Sequence, residues 1–122
     1  MGSERGDSVN KWTYFTEDEV QGLDQELIAK LDQARHLSGI PYILTSTLRS
    51  IEENQAAGGV QDSAHLTGQA VDIRVTDAYS RFQITRGLIL VGFKRLGLYS
   101  GHVHVDISQS LPQSVIWIKE IA

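Results

Sequence analysis

The sequence predicts a small α+β domain with a mainly antiparallel sheet and two main helices. Two segments have helical spacing of apolar residues, and several short segments have the two-residue alternation of strands. The length of 122 residues suits one domain with a core and is short for two. We expect residues 1–10 to be a disordered leader, because they are small, polar and without periodicity, and residues 11–122 to form the domain.

Two helices are predicted, one within residues 17–39 and one from about residue 78 to 91. In the first, apolar residues recur at helical spacing: Leu23, Leu27, Leu31 and Ala34. Thr16 and Glu19 form the sequence pattern of a capping box at its start, and Gly39 is a stop signal at its end. The alternative is that Gly22 splits off a short first turn from this helix.

The strands are predicted from short segments rich in apolar and β-branched residues, at 42–48, 70–75, 93–99, 102–107 and 115–121. The last is either a strand or a short terminal element. Ser100-Gly101 is a turn dipeptide that would join two strands, and residues 50–60 could hold a short helix. Trp12 and Trp117 are expected in the core, and Tyr99 is assigned to structure rather than to a cleft.

Composition excludes several classes of function. The chain has no cysteine, which rules out disulfides, thiolate zinc sites and cysteine nucleophiles. The net charge is −4 and no basic stripe is present, so a nucleic-acid partner is not expected. No segment is apolar and long enough to cross a bilayer, and the polar N-terminus lacks the features of a signal peptide.

The chemistry-bearing residues lie in two stretches. If residues 102–107 form a strand, His102, His104 and Asp106 share one face, and burying such a row is costly unless each group has a partner. Asp72 lies on the polar face of another predicted strand, and His65 precedes that strand in a loop. The sequence therefore allows these two stretches to meet at one metal ion.

The chemistry of these residues suits zinc. A catalytic zinc site takes three nitrogen or oxygen ligands and keeps one open position. His65, Asp72 and His104 can supply two imidazoles and a carboxylate, and the open position would hold water whose pKa falls toward ~7. His102, on the same strand face as a ligand, is the best-placed general base.

The first stretch has the pattern S-x-H-x-x-G-x-A-x-D over residues 63–72, in which the small Gly68 and Ala70 allow the loop to fold back. The alternative is that these are surface histidines or core histidines with satisfied hydrogen bonds. Three of the four histidines in the chain fall in the two stretches, and five positions of the pattern are fixed, which favours the metal interpretation.

SAHLTGQAVD, followed by HVH at 102–104, resembles the zinc D-Ala-D-Ala peptidases of peptidase family M15, especially the branch with His-x-His in its second motif. That family also includes phage endolysins and murein endopeptidases. The resemblance extends from about residue 15 to residue 117. It implies a hedgehog/DD-peptidase-like fold.

The resemblance also implies roles for individual residues. It implies zinc ligation by His65, Asp72 and His104, with His102 beside the scissile bond. The segment TSTLRS is similar to the Ser-x-x-Arg strand end of the family, where the arginine binds the substrate carbonyl and stabilises the oxyanion, a role that maps onto Arg49.

Three further positions have open or altered roles. Ser63 resembles a position that orients the site or substrate, or it caps loop backbone. Asp106 either accepts a hydrogen bond from a histidine ring or is a solvated strand carboxylate. Other branches of the family carry a glutamate base three residues before the last ligand. Here Gly101 occupies that position, which leaves His102 as the base.

The resemblance predicts a zinc-dependent peptidase that cleaves amide bonds in peptidoglycan stem peptides or cross-links. It would be of the D-Ala-D-Ala carboxypeptidase, DD-endopeptidase or L-Ala-D-Glu endolysin type. A monomeric phage lysis enzyme, made in the cytoplasm and released by a holin or carried in a virion, would fit the absence of a signal peptide. The alternative is a non-catalytic, hedgehog-like binding module with a structural metal.

Overall fold

The structure, a computed structural model, describes residues 11–46 and 67–119. These residues contain two helices and five strands. In chain order they are α1 Gln25–Ser38, β1 Leu44–Ser46, β2 Ala70–Arg74, α2 Ala78–Leu90, β3 Arg95–Leu98, β4 His102–Asp106 and β5 Val115–Ile118. The predicted α+β class is confirmed. The short helix expected at 50–60 lies outside the described residues.

The five strands form one sheet in the order β1-β2-β4-β3-β5. The β1–β2, β2–β4 and β3–β4 pairs are antiparallel, and β5 pairs with β3 in parallel, so the sheet is mainly antiparallel as predicted. Ser100-Gly101 forms the turn between β3 and β4, where the Tyr99 amide donates to the His102 carbonyl at 3.0 Å. This tight hairpin fixes which residues of the two strands lie side by side.

One face of the sheet packs with the helices in a single apolar cluster. The strands contribute Val71, Ile73, Leu96, Val103 and Val105, and the helices contribute Leu27, Ile28, Leu31, Ala34, Ile84 and Leu88. Since side chains alternate along a strand, the polar residues between these positions project from the opposite face. The candidate site lies on that second face.

The first helix begins at Gln25, after a separate short turn, which agrees with the alternative of a break at Gly22. Thr16 and Glu19 do form reciprocal bonds, Thr16 N–H to Glu19 Oε1 at 2.8 Å and Glu19 N–H to Thr16 Oγ1 at 3.2 Å, but they close a separate turn. Gly22 then adopts a φ of 83°, which a continuing helix cannot accommodate. The N-cap of α1 is Asp24, whose side chain accepts from the Glu26 amide.

The second helix holds the β3–β4 turn in place. Asp77 and Ser80 form a capping box at its start. One turn further on, Arg81 Nη2 donates to the Ser100 carbonyl at 3.1 Å. The helix therefore contacts the hairpin next to His102. In the described residues no helix has both the length and the apolar character to cross a membrane.

Candidate active site

The polar face of the sheet carries one continuous row of residues across four strands. Asp72 of β2 pairs with His104 of β4, His104 pairs with Gly97 of β3, and Gly97 pairs with Trp117 of β5. Residues paired directly across neighbouring strands project from the same side of the sheet. The register therefore brings together Asp72 and His104, which are 32 residues apart in the chain.

His102, His104 and Asp106 lie on the same face of β4, as the alternation predicts. The intervening Val103 and Val105 are fully buried in the core. The polar row is therefore carried by a strand whose opposite side is fixed by packing, which fixes the backbone positions from which its three polar side chains project.

His104 is held between two carboxylates. Its Nδ1 lies 3.1 Å from Asp72 Oδ1, and its Nε2 lies 2.7 Å from Asp106 Oδ2. Both carboxylates are nearly inaccessible to solvent, with Asp72 6% and Asp106 3% exposed. Because both partners are carboxylates, each contact is a hydrogen bond only when the ring nitrogen facing it carries a proton, so the two contacts together suit the protonated ring.

Asp106 is in turn fixed by donors on its other oxygen. Arg95 Nε donates to Asp106 Oδ1 at 2.7 Å, and the Ser108 amide donates to the same oxygen at 3.1 Å. Arg95 also donates through Nη1 to the Pro112 carbonyl at 2.6 Å. Two roles were left open for Asp106. The structure shows it as the acceptor for a histidine ring, and the alternative that it is a solvated strand carboxylate is wrong.

These contacts shift two pKa values in opposite directions. Burial lowers the pKa of His104, but the hydrogen bonds and negative charges of Asp106 and Asp72 outweigh it, and the pKa is raised above its usual value. Burial raises the pKa of Asp106, but the bond to His104, its charge and the Ser108 and Arg95 donors outweigh it, and the pKa is lowered. The pair therefore favours an ionised Asp106.

His102 is the more exposed of the two strand histidines, with 29% of its side chain accessible against 14% for His104. Its Nε2 lies 3.8 Å from Asp72 Oδ2. Its ring stacks on that of Tyr99, with centroids 4.4 Å apart and an interplanar angle of 11°. His102 thus borders the Asp72–His104 pair and remains accessible from the open face.

Two aromatic residues that the sequence assigned to structure lie at this site. The half-buried Trp117 is on the polar face, with its ring centroid 5.5 Å from that of His104, so its expected core position is wrong. Its Nε1 donates to the Tyr99 hydroxyl at 3.1 Å. Trp12, by contrast, packs against the core as predicted.

Arg95, Tyr99 and Trp117 were not predicted as site residues. Nothing in their local sequence marks them, because their positions follow from the register of β3 against β4 and β5. These three residues could have been identified from the sequence only if the pairing of β3 with β4 and β5 had been known.

The loop before β2 is anchored at Gly68. Gly68 has a φ of 73°, and its carbonyl accepts from the Asp24 amide at 2.9 Å. A Cβ at this position would lie 2.3 Å from the Gly22 carbonyl oxygen. The need for glycine therefore arises from close packing against the segment before α1.

Three of the predicted site residues, Arg49, Ser63 and His65, lie outside the described residues. Within residues 11–46 and 67–119, no three histidine, aspartate or glutamate side chains are grouped so that they could hold a metal ion. Two of the three predicted ligands, Asp72 and His104, are adjacent.

The fold and the site together define the structural class, which is a small α+β domain with an aspartate–histidine cluster on the open face of its sheet. The family model described as Peptidase M15 matches residues 8–107, and the chain belongs to this family. Among solved structures, it is similar to the Serratia marcescens L-Ala D-Glu endopeptidase ChiX, with a TM-score of 0.55 and 21% identity over 75% of this chain and 85% of that chain. This likeness concerns the fold. Comparison with curated proteins gives no significant match.

Proposed function

We propose that the protein is a zinc-dependent peptidase that hydrolyses amide bonds in the peptide part of bacterial peptidoglycan. The observation that carries the proposal is the placement of His104, with Nδ1 3.1 Å from Asp72 and Nε2 held by Asp106. Membership of the M15 family and the similarity to an L-Ala D-Glu endopeptidase support the reaction and the substrate class.

The Asp72–His104 pair fits zinc. Two ligands at 2.0–2.2 Å from a tetrahedral ion lie roughly 3.3–3.6 Å apart. The 3.1 Å separation of His104 Nδ1 and Asp72 Oδ1 is close to that range. A ligating histidine typically donates its other ring N–H to a carboxylate, as His104 does to Asp106. His65 would be the third ligand.

Bound zinc would supply a Lewis acid that polarises the scissile carbonyl and lowers the pKa of water. Side chains of the protein supply the proton transfer and the stabilisation of negative charge. His102, accessible and next to Asp72, accepts the proton of the attacking water and returns it to the leaving amine. Arg49 stabilises the negative charge that develops on the carbonyl oxygen.

The same geometry removes one of the two candidates for the fourth ligand of a structural metal site, the alternative to an enzyme. A closed structural site would need a fourth protein ligand. Asp106, one of the two candidates for that ligand, contacts the Nε2 of His104, the nitrogen on the opposite side of the ring from Asp72. It therefore supports a ligand and leaves the position on the Asp72 side to His102 or to solvent.

The test is digestion of purified peptidoglycan, with mass spectrometry of the released fragments, because the new termini identify the bond. We expect cleavage of L-Ala–D-Glu, the bond named for ChiX, ahead of D-Ala–D-Ala or a cross-link. A chelator and His104→Ala should each abolish cleavage. His36→Ala is the matched control, since His36 is exposed and bonds to the Tyr14 hydroxyl. Protein that binds zinc stoichiometrically yet cleaves nothing would contradict the proposal and favour the binding module.

The proposed biological setting is the lysis of a bacterial host by a phage enzyme. A phage lysis enzyme made in the cytoplasm would lyse a bacterial host only when a holin is co-expressed. Lysis without the holin, or no lysis with it, would argue against this role while leaving the peptidase assay unaffected.

A further inference from the structure

Strand β5 brings an aromatic side chain to the site from beyond the part of the chain that the family model matches. The match ends at residue 107, and β5 begins at Val115. Because β5 pairs with β3 in parallel, Trp117 lies beside Gly97, in the same row as His104.

Trp117 is held in one position from two sides. Its indole lies over Gly97, where a Cβ would come within 2.5 Å of the indole Cε2 and Nε1 atoms. The guanidinium of Arg95 lies 5.0 Å from the ring centroid, and Arg95 is itself fixed by Asp106 and Pro112. The indole N–H is therefore directed at a fixed point, the hydroxyl of Tyr99, at 3.1 Å.

Tyr99, held by this hydrogen bond, in turn restricts the orientation of the His102 ring. The two residues flank the Ser100-Gly101 turn, and their rings are nearly parallel, 11° apart in orientation and 4.4 Å between centroids. His102 sits at the end of its strand with 29% of its side chain accessible. An imidazole in such a place has several rotamers available unless neighbours restrict it. The parallel ring of Tyr99 supplies that restriction.

We propose that Trp117 and Tyr99 are positioning residues that hold the imidazole of His102 toward Asp72. The consequence for the reaction rests on the proposed function, in which His102 moves a proton. Neither aromatic residue needs to touch the substrate. Strand β5 is then part of the working site, and Gly97 is required because any side chain there displaces the indole.

Four variants separate the contacts. Tyr99→Phe keeps the stacked ring and removes the hydroxyl, and Trp117→Phe removes the N–H donor. Tyr99→Leu removes the stack, and Gly97→Ala displaces the indole. Tyr79→Phe and Trp12→Phe are matched controls, because Tyr79 is exposed on α2 and Trp12 packs on the core away from the polar face.

On a peptide substrate, Tyr99→Leu and Gly97→Ala should lower kcat by about 10- to 100-fold, since a misplacement of ~1 Å can cost that much. KM and the zinc affinity should change less than about twofold. Tyr99→Phe and Trp117→Phe should each lower kcat by a smaller, similar factor. The double variant should be no worse than either single one, because both remove the same hydrogen bond. Additive effects, or unchanged kcat in Trp117→Phe and Tyr99→Leu, would overturn the proposal.

A second readout does not depend on activity. In the NMR spectrum of the metal-free protein, the ring protons of His102, assigned with His102→Ala, should show the ring-current shift of Tyr99 and cross-peaks to its ring. Both should weaken in Trp117→Phe and vanish in Tyr99→Leu. Unchanged His102 signals in Trp117→Phe would overturn the positioning role. If the wild type shows these signals but cleaves no peptide, the proposed function fails and the positioning of His102 stands.

Discussion

The two ring nitrogens of His104 have different tasks, and the residues around them determine which is which. Asp106 accepts from Nε2, and Arg95 and the Ser108 amide keep Asp106 charged and oriented. Nδ1 is thereby left to face Asp72. A buried carboxylate that already has its own donors stabilises one ring orientation at little further cost in desolvation.

At this scale we predict that Asp106→Asn weakens zinc binding about 10- to 100-fold, the usual effect of removing the hydrogen-bond partner of a metal-ligating histidine. The amide lacks the negative charge that holds the Nε2 proton. Competition with a chromophoric chelator measures the affinity. Asp18→Asn, an exposed carboxylate, is the control. Equal affinities for Asp106→Asn and the wild type would show that Asp106 does not orient the ligand.

At the scale of elements, the hairpin β3–β4 and the strands β2 and β5 carry the described part of the site, and helices α1 and α2 support the other side of the sheet. The alternation of β4 was enough to predict which face holds His102, His104 and Asp106. The start of α1 was predicted only as an alternative, the break at Gly22, because the Thr16–Glu19 capping bonds are real but belong to a separate turn. A local pattern identifies a cap, and only the chain path shows which element it caps.

The packing of α1 against α2 gives an element-scale prediction. A Cβ at Gly87 of α2 would lie 2.7 Å from the Ala34 carbonyl oxygen and 2.1 Å from Ser38 Oγ, so the helices must move apart. We expect Gly87→Ala to lower the free energy of unfolding by about 1–3 kcal/mol, despite the higher helix propensity of alanine. Urea denaturation measures it. Gly101→Ala, where the added Cβ meets nothing within 4 Å, is the control. A stabilised Gly87→Ala variant would refute the close helix contact.

At the scale of the whole molecule, Tyr42 ties together the end of α1, the entry to β1 and the helix α2. Its hydroxyl lies 2.7 Å from Ser38 Oγ and donates to the Ile84 carbonyl at 3.4 Å. Burial raises the pKa of Tyr42 to about 12, while the bond with Ser38 and the charge of Arg35 act in the opposite direction. The folded state therefore requires a neutral phenol at this junction.

This shift predicts how stability depends on alkaline pH. Below the ordinary tyrosine pKa of 10.0, Tyr42 is neutral in both the folded and the unfolded chain, and its contribution is complete. As the pH rises toward about 12, only the unfolded chain loses the proton, and about 2–3 kcal/mol of stability is lost. Denaturation at a series of pH values measures this. Tyr42→Phe should remove that part of the loss, whereas Tyr79→Phe should keep it. An identical alkaline loss in Tyr42→Phe would contradict the assignment.

Much of the fold and part of the site could be predicted from sequence, for physical reasons. Side-chain alternation and helical spacing are local properties, and they placed Asp72, His102, His104 and Asp106 on polar strand faces. The contacts of Trp117 depend instead on a parallel pairing between distant segments, which leaves no local signal. Arg49, Ser63 and His65 remain predictions, because they lie outside the described residues.

The central claim is that Asp72 and His104 bind one zinc ion together. Native mass spectrometry of the zinc-loaded protein, beside Asp72→Ala, His104→Ala and the control His36→Ala, tests it most directly. We expect one zinc ion in the wild type and in His36→Ala, and none retained in the other two. Zinc retained at full stoichiometry in either Asp72→Ala or His104→Ala, or absent from the wild type, would contradict the account.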